Sequence, residues 1–198
     1  MEPSAPIWPP YEAFYIQSML FNSSSAVRSI LRLEKIFERL PERFTQEDVD
    51  ALPTTLVLNE LQNMIVQAGA LSRYFWPVSK ECKPRGKTLC EVFELTNNSP
   101  LFSRALRNAI EHFDERLDTY FSGGVIGHFF PEYVGAKPAE DGVPGHFFRA
   151  YFVDTAEFRL LDVEYSIKPM ADELLFVQAH LEKMDREGGR FQRAQRDA

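Results

Sequence analysis

The sequence predicts a mainly α-helical protein, a helical bundle carrying a small C-terminal β-hairpin and a terminal helix. Three observations point that way. Long stretches repeat apolar residues at helical spacing, two late segments alternate apolar with polar residues, and the composition of the 198 residues is 44% hydrophobic and 13% aromatic, ample for a packed core. The expected division is a bundle over 1–124, a loop, hairpin and helix over 125–189, and a disordered polar tail over 190–198.

An arm punctuated by Pro3, Pro6, Pro9 and Pro10 comes first, with Trp8 expected to anchor it to the body. Tyr11, Phe14, Tyr15, Ser18 and Met19 then recur at helical spacing, and Val27, Ile30, Leu31, Leu33, Ile36, Phe37 and Leu40 continue after Asn22-Ser23-Ser24-Ser25. The serines either cap a second helix or form an exposed turn of one long helix, because serine is a good cap and a mediocre helix former. Pro41 ends the element, and Thr45 to Asp48 reads as a capped helical turn before Pro53. A second long helix starts at Thr54. Val57, Leu58, Leu61, Met64, Ile65, Ala68, Leu71, Ser72 and Phe75 trace its apolar stripe until Pro77 closes it.

A basic loop from Lys80 to Arg85 leads to a short helical piece over 87–95. Ser99 and Pro100 are placed as cap and first residue of a helix running to about Phe121 and stopping at Gly123-Gly124. Residues 125–145 read as loop, while 146–153 and 157–167 alternate as a hairpin around Asp154-Thr155-Ala156. Pro169 opens a last helix with Met170, Leu174, Val177, Leu181 and Met184 on its apolar face.

The charge of −7 argues against a protein that coats nucleic acid through a global basic surface, yet it allows a local one. Lys80, Lys83, Arg85 and Lys87 cluster within eight residues, with Arg104 and Arg107 shortly after. Such a run is either a solvated loop or a guide for a phosphate backbone. Cys82 and Cys90 match no zinc spacing and read as reduced thiols, and the four histidines form no metal pattern, so neither metal nor cofactor is expected. No apolar run approaches the roughly 20 residues of a membrane span, and the start does not resemble a signal peptide, which together suggest a cytoplasmic protein.

Chemistry concentrates at Arg107-Asn108-Ala109-Ile110-Glu111-His112. At about 100° per residue, Leu106, Ala109, Ile110, Phe113 and Leu117 share the face expected to be buried, whereas Asn108 and His112 lie one turn apart on a strip with few charges. Arg107 and His112 point about 140° apart, so one helix supplies half a site and a symmetric partner would supply the rest. The competing reading is a surface ion-pair network of Arg107 or Arg104 with Glu111. His128 and His146, in identical Gly-His-Phe-Phe tetrapeptides, read as packed loop ends, and His180 as an exposed helix residue.

With these residues in view, the chain resembles the HEPN superfamily, whose signature is Arg, four to six residues, then His, often with Asn directly after the Arg. Arg107, Asn108 and His112 match it as Arg-Asn-x-x-x-His, and the resemblance covers about Tyr11 to Phe121. It implies a HEPN-like helical bundle and a metal-independent endoribonuclease that works as a homodimer on RNA, often in a toxin–antitoxin or defence role with an antitoxin protein as partner. His112 would then move protons at the 2′-hydroxyl or 5′-oxygen, Arg107 would stabilise charge on the phosphorane-like transition state, and Asn108 would orient the imidazole or phosphate. Lys83, Arg85, Lys87 and Arg104 would bind substrate. One position departs from the pattern: the tyrosine adenylylated in some such toxins, two residues after the histidine, is Asp114 here, so that form of regulation is not expected. The alternatives are a non-catalytic helical interaction or RNA-binding module, and a nucleotide-binding regulator.

Overall fold

The computed structural model describes residues 7–41, 43–139 and 142–194. The fold is mainly helical with some β structure. Its helices are α1 (Glu12–Phe37), α2 (Gln46–Asp50), α3 (Thr54–Phe75), α4 (Lys83–Val92), α5 (Ala105–Glu111), α6 (Phe113–Ser122) and α7 (Lys168–Arg186), and its strands are β1 (His128–Gly135), β2 (Gly145–Phe152), β3 (Glu157–Leu160) and β4 (Val163–Ser166). Two compact units form, neither continuous in sequence. The first gathers the chain up to Arg28, Met64–Arg104 and the chain from Met170 onward, and the second gathers Ser29–Asn63 and Ala105–Pro169. Among the described residues no helix is long and apolar enough to cross a membrane.

In the first unit, the serine run lies inside one continuous helix. Ser23 is fully buried and its hydroxyl bonds back to the Leu20 carbonyl at 3.4 Å, the local bond by which a helix tolerates serine. The buried face of this half of α1 is Ile16, Met19, Ser23 and Ala26, while Tyr11 and Phe14 are exposed, so the expected apolar phase is displaced. The arm is anchored by buried Ile7 and not by Trp8, whose exposed ring meets the edge of Tyr11 at 4.9 Å; Pro3 and Pro6 lie outside the described residues. The stripe from Met64 to Phe75 on α3 is buried as the spacing predicts, as are Leu174, Val177, Leu181 and Met184 on α7.

Two expectations in this unit are corrected. Ser99 does not cap a helix starting at Pro100. It takes the Leu101 N–H in a tight turn and donates its own hydroxyl to buried Glu173 at 3.2 Å, and the helix begins only at Ala105. The tail is also ordered as far as it is described. Arg190 and the Phe191 N–H both bond Glu12, Arg193 pairs with Glu94 at 3.0 Å, and the Ala194 N–H reaches the Val92 carbonyl at 2.7 Å. Backbone and carboxylate partners hold this polar stretch where composition alone suggested disorder, and residues 195–198 lie outside the described residues.

In the second unit, Glu60 of α3 organises the contact with α1. Its buried carboxylate accepts from Ser29 at 2.5 Å and from Arg32 at 2.7 Å, and Asn63 donates to the Ser29 hydroxyl. The α2 turn carries a reciprocal capping box between Thr45 and Asp48, as its sequence suggested.

The β region holds four strands in the order β1-β2-β3-β4, not a lone hairpin. β2 and β3 form the expected antiparallel pair, from Phe152 opposite Glu157 to Arg149 opposite Leu160. The second alternating segment breaks at Leu161, whose φ of 55° turns the chain into β4. The stretch expected to be loop contains β1, which runs parallel to β2; residues 140–141 of that stretch lie outside the described residues. Its first five residues are exposed, so it lacks the alternation that betrays a half-buried strand, and Pro131 is acceptable because β1 is an edge strand. The two Gly-His-Phe-Phe tetrapeptides pair one residue out of step, Phe129 with His146 and Phe130 with Phe147, each as a stacked pair.

Two outcomes follow from these contacts. Glu60→Ala deprives the buried Ser29 hydroxyl of its carboxylate acceptor and should cost about 2 kcal/mol in urea unfolding, with Arg32→Ala costing less because Arg32 is largely in solvent. On the sheet, Lys137 bonds Glu157 at 2.9 Å and Glu164 at 2.6 Å. The Lys137 bond holds the Glu157 carboxyl below its ordinary value of 4.5. A carboxyl lowered on folding contributes stability above its unfolded pKa, and that contribution disappears as pH falls through the folded one. Lys137→Met should therefore flatten the loss of stability below pH 4.5, measured as melting temperature against pH.

Candidate functional site

The motif lies where α5 gives way to α6. The expected single helix bends at His112, whose φ of −111° and ψ of 35° leave the helical region. Backbone bonds from His112 N–H to Asn108 and from Arg116 N–H to His112 persist across it, so this is a kink within a continuous turn. Its reason is visible in what each half packs against. α5 buries Leu106 and Ala109. α6 follows the sheet, with the Arg149 guanidinium 4.0 Å from the Phe113 ring centre, Arg116 3.8 Å from Asp162, and the Tyr120 hydroxyl 2.5 Å from His146.

Asn108 and His112 are both exposed and one turn apart. Arg107 turns the other way. Its guanidinium forks onto Glu111, with Nε to Oε1 at 2.9 Å and Nη2 to Oε2 at 2.6 Å, and its side chain is only 13% exposed. The His112 side chain is 60% exposed and has its own carboxylate, Glu115, 3.7 Å from Nδ1. One protomer thus brings Asn108 and His112 together and directs Arg107 to Glu111. Chemically, an exposed imidazole can accept or donate a proton, while an arginine so paired acts on a phosphate only after exchanging its carboxylate for it.

The basic run divides. Lys83, Lys87 and Arg104 line a cleft of about 820 Å³ in the first unit, together with Trp76, Asn97 and Phe102. Arg85 does not. It donates to the Arg73 carbonyl at 3.1 Å and sits 5.7 Å from the Tyr15 ring centre and 5.8 Å from that of Tyr74. The segment carrying these cations is a 3₁₀ turn and the first turns of α4, not a loop. The aromatic members were missed by sequence reasoning, although a Trp-Pro pair closing a helix and a phenylalanine just after Ser-Pro were available signals. Cys90 also borders this cleft. Burial, aided by the Glu91 charge, pushes its thiol up to about 11, which leaves it protonated and unreactive at neutral pH.

Two of the other histidines, His146 and His180, are held by local contacts. The His146 Nε2 faces the Ile126 carbonyl at 3.1 Å, so that nitrogen carries the proton and Nδ1 accepts from Tyr120. Desolvation raises the Tyr120 hydroxyl above its ordinary value, partly offset by the Arg159 charge. His180, expected to be exposed, is half-buried against Phe176 and donates to its carbonyl at 2.9 Å. His128 borders a second cleft of about 630 Å³ lined by Phe130, Tyr133 and Phe147 of the sheet. Among the described residues, no three His, Cys, Asp or Glu side chains are grouped to hold a metal.

Compared with protein-family models, curated proteins and solved structures, the chain matches none.

Because the Arg107 side chain is mostly covered while Glu111 is more exposed, Arg107→Ala should lower stability by about 1 to 2 kcal/mol through lost packing and a lost ion pair. A loss well above that in chemical denaturation would make the pair a structural element and not a functional reserve.

Proposed function

We propose that the protein is a HEPN-like, metal-independent endoribonuclease that acts on RNA as a homodimer in the cytoplasm, in a toxin–antitoxin or defence role with an antitoxin protein as partner. The observation that supports this reading is the exposed Asn108–His112 pair at the helix kink, directly after Arg107. His112 takes the proton of the RNA 2′-hydroxyl. The freed oxygen attacks phosphorus, the bond to the 5′-oxygen breaks, and that oxygen leaves with a proton from the same histidine of the second copy. The products are a 2′,3′-cyclic phosphate and a free 5′-hydroxyl. Arg107, released from Glu111 by the incoming phosphate, stabilises the charge that develops on the nonbridging oxygens. Asn108 orients the imidazole or the phosphate.

A second reading is a non-catalytic helical interaction or RNA-binding module. The forked Arg107–Glu111 pair favours it, because it already satisfies the cation that the ribonuclease needs.

Incubating the protein with mixed RNA in EDTA, beside His112→Ala, separates the two. The ribonuclease yields cyclic phosphate ends, leaves DNA intact, and loses about 10²- to 10⁴-fold of its rate in the variant. Cleavage no faster than that of His112→Ala, or a strictly monomeric protein by light scattering, removes the ribonuclease reading and leaves the interaction module.

A further inference from the structure

The cleft on the first unit combines two kinds of side chain that single out one ligand chemistry. Its aromatic wall is Trp76 and Phe102, edge to face with ring centres 5.4 Å apart. The indole is fixed before any ligand arrives: Nε1–H donates to Asn97 Oδ1 at 3.1 Å, and the Trp76 carbonyl accepts from Arg104. Phe102 remains 42% exposed, although a phenylalanine of a folded chain is more often covered. The cationic rim is Lys83 and Lys87, four residues apart on α4 and therefore neighbours on one helix face, with Arg104 as a third positive group. Lys87 has only a loose partner, Glu91 at 3.9 Å, with both side chains largely in water, so an incoming anion can take its place.

Placement of rim over wall depends on Gly86. A Cβ there would meet the Phe75 carbonyl and the Pro77 ring at 2.5 Å, closer than real atoms approach. The missing side chain lets α4 close directly onto the Phe75-Trp76-Pro77 turn. In a chain of net charge −7, three cations are thus gathered at one aromatic cleft. Isolated anions need no aromatic wall, and fatty acids or acidic peptides offer no planar face to it.

The geometry points to a nucleotide-binding site: a base stacked at Trp76 and Phe102, and its phosphate on Lys83 and Lys87. Stacking accepts any base, so the site selects the nucleotide class and not a particular base. The volume of about 820 Å³ falls in the usual range for small-ligand clefts and holds a mononucleotide with room for a neighbouring sugar. The same chemistry is presented by a free mononucleotide and by one unit of single-stranded RNA. The site shares Lys83, Lys87 and Arg104 with the substrate-binding set that the HEPN resemblance implies but uses no residue of the Arg107–His112 motif, so binding and cleavage can fail separately.

The protein has two tryptophans, so Trp8→Phe leaves Trp76 as the sole indole emitter and makes its fluorescence the readout. AMP, UMP, adenosine, inorganic phosphate and an octa-adenylate without terminal phosphates are titrated in EDTA. Saturable quenching by AMP and UMP, with adenosine about tenfold weaker or more, is expected. Inorganic phosphate should compete without quenching. Lys83→Gln combined with Lys87→Gln should weaken AMP at least about tenfold while leaving the circular dichroism and melting temperature unchanged, because both lysines are exposed. Quenching by the octa-adenylate alone assigns the site to a unit within a strand, and quenching by AMP assigns it to the free nucleotide as well. No saturable quenching by any nucleotide up to about 10 mM, or undiminished affinity in the double lysine variant, overturns the assignment. His112→Ala must retain binding. Binding without cleavage therefore removes only the ribonuclease reading, and cleavage without quenching removes only the nucleotide site.

Discussion

The buried stripe of α3 is the constraint on which the rest of the chain depends. Val57, Leu58, Leu61, Met64, Ile65, Ala68, Leu71 and Phe75 are each at most 4% exposed, and burying eight such side chains is the kind of gain that offsets the entropy of ordering the chain. The helix therefore has one rotation about its axis, and that rotation decides where its polar residues go. Glu60 is carried to Ser29 and Arg32 of α1, and Tyr74 to Ser18 at 2.5 Å. The carboxylate at position 60 is tolerated in the interior because three donors surround it, directly or through Ser29.

The stripe also ends where the cleft begins. Phe75 is its last member, and Trp76 and Pro77 follow with no further helix to bury them. Phe75 packs its ring edge to face on Phe93 at 5.4 Å, Gly86 lets α4 approach the same turn, and Arg104 binds the Trp76 carbonyl. A ring contact, a close approach at Gly86 and a hydrogen bond thus fix a half-exposed tryptophan beside two exposed lysines. The concentration of positive charge there runs against the acidity of the chain as a whole, which is how an acidic protein can present a local anion site.

At the motif one anion, the Glu111 carboxylate, already occupies the Arg107 guanidinium. Glu111 is four residues from Arg107 on the same helix, pays little entropy to stay there, and makes the forked geometry that carboxylates and phosphates share. Under the proposed function, a phosphate has to displace it. His112 has only a looser carboxylate, Glu115 at 3.7 Å, and the kink that directs α6 along the sheet leaves most of its ring in water.

The sequence by itself determined what depends on local periodicity and local caps. The α3 stripe, the apolar face of α7, the Thr45–Asp48 capping box, the β2–β3 pairing and the Arg107–Glu111 ion pair are all legible in the sequence, because each is set by residues close together along the chain. Tertiary structure decided the remainder. Ser99 leaves its capping role because Glu173, 74 residues away, offers a better buried partner. The phase of early α1 shifts because burial goes to Ile16 and Met19 and not to the larger aromatic rings. β1 is a strand only because β2 lies beside it, and its exposed residues carry no period of their own. Residues 190–194 are held by Glu12, Val92 and Glu94, none of which is near them in sequence. Lys83, Lys87 and Arg104 could be named from composition, but that they share a cleft with Trp76 while Arg85 does not is a matter of which side chains neighbour one another in space, and no spacing along the chain encodes that.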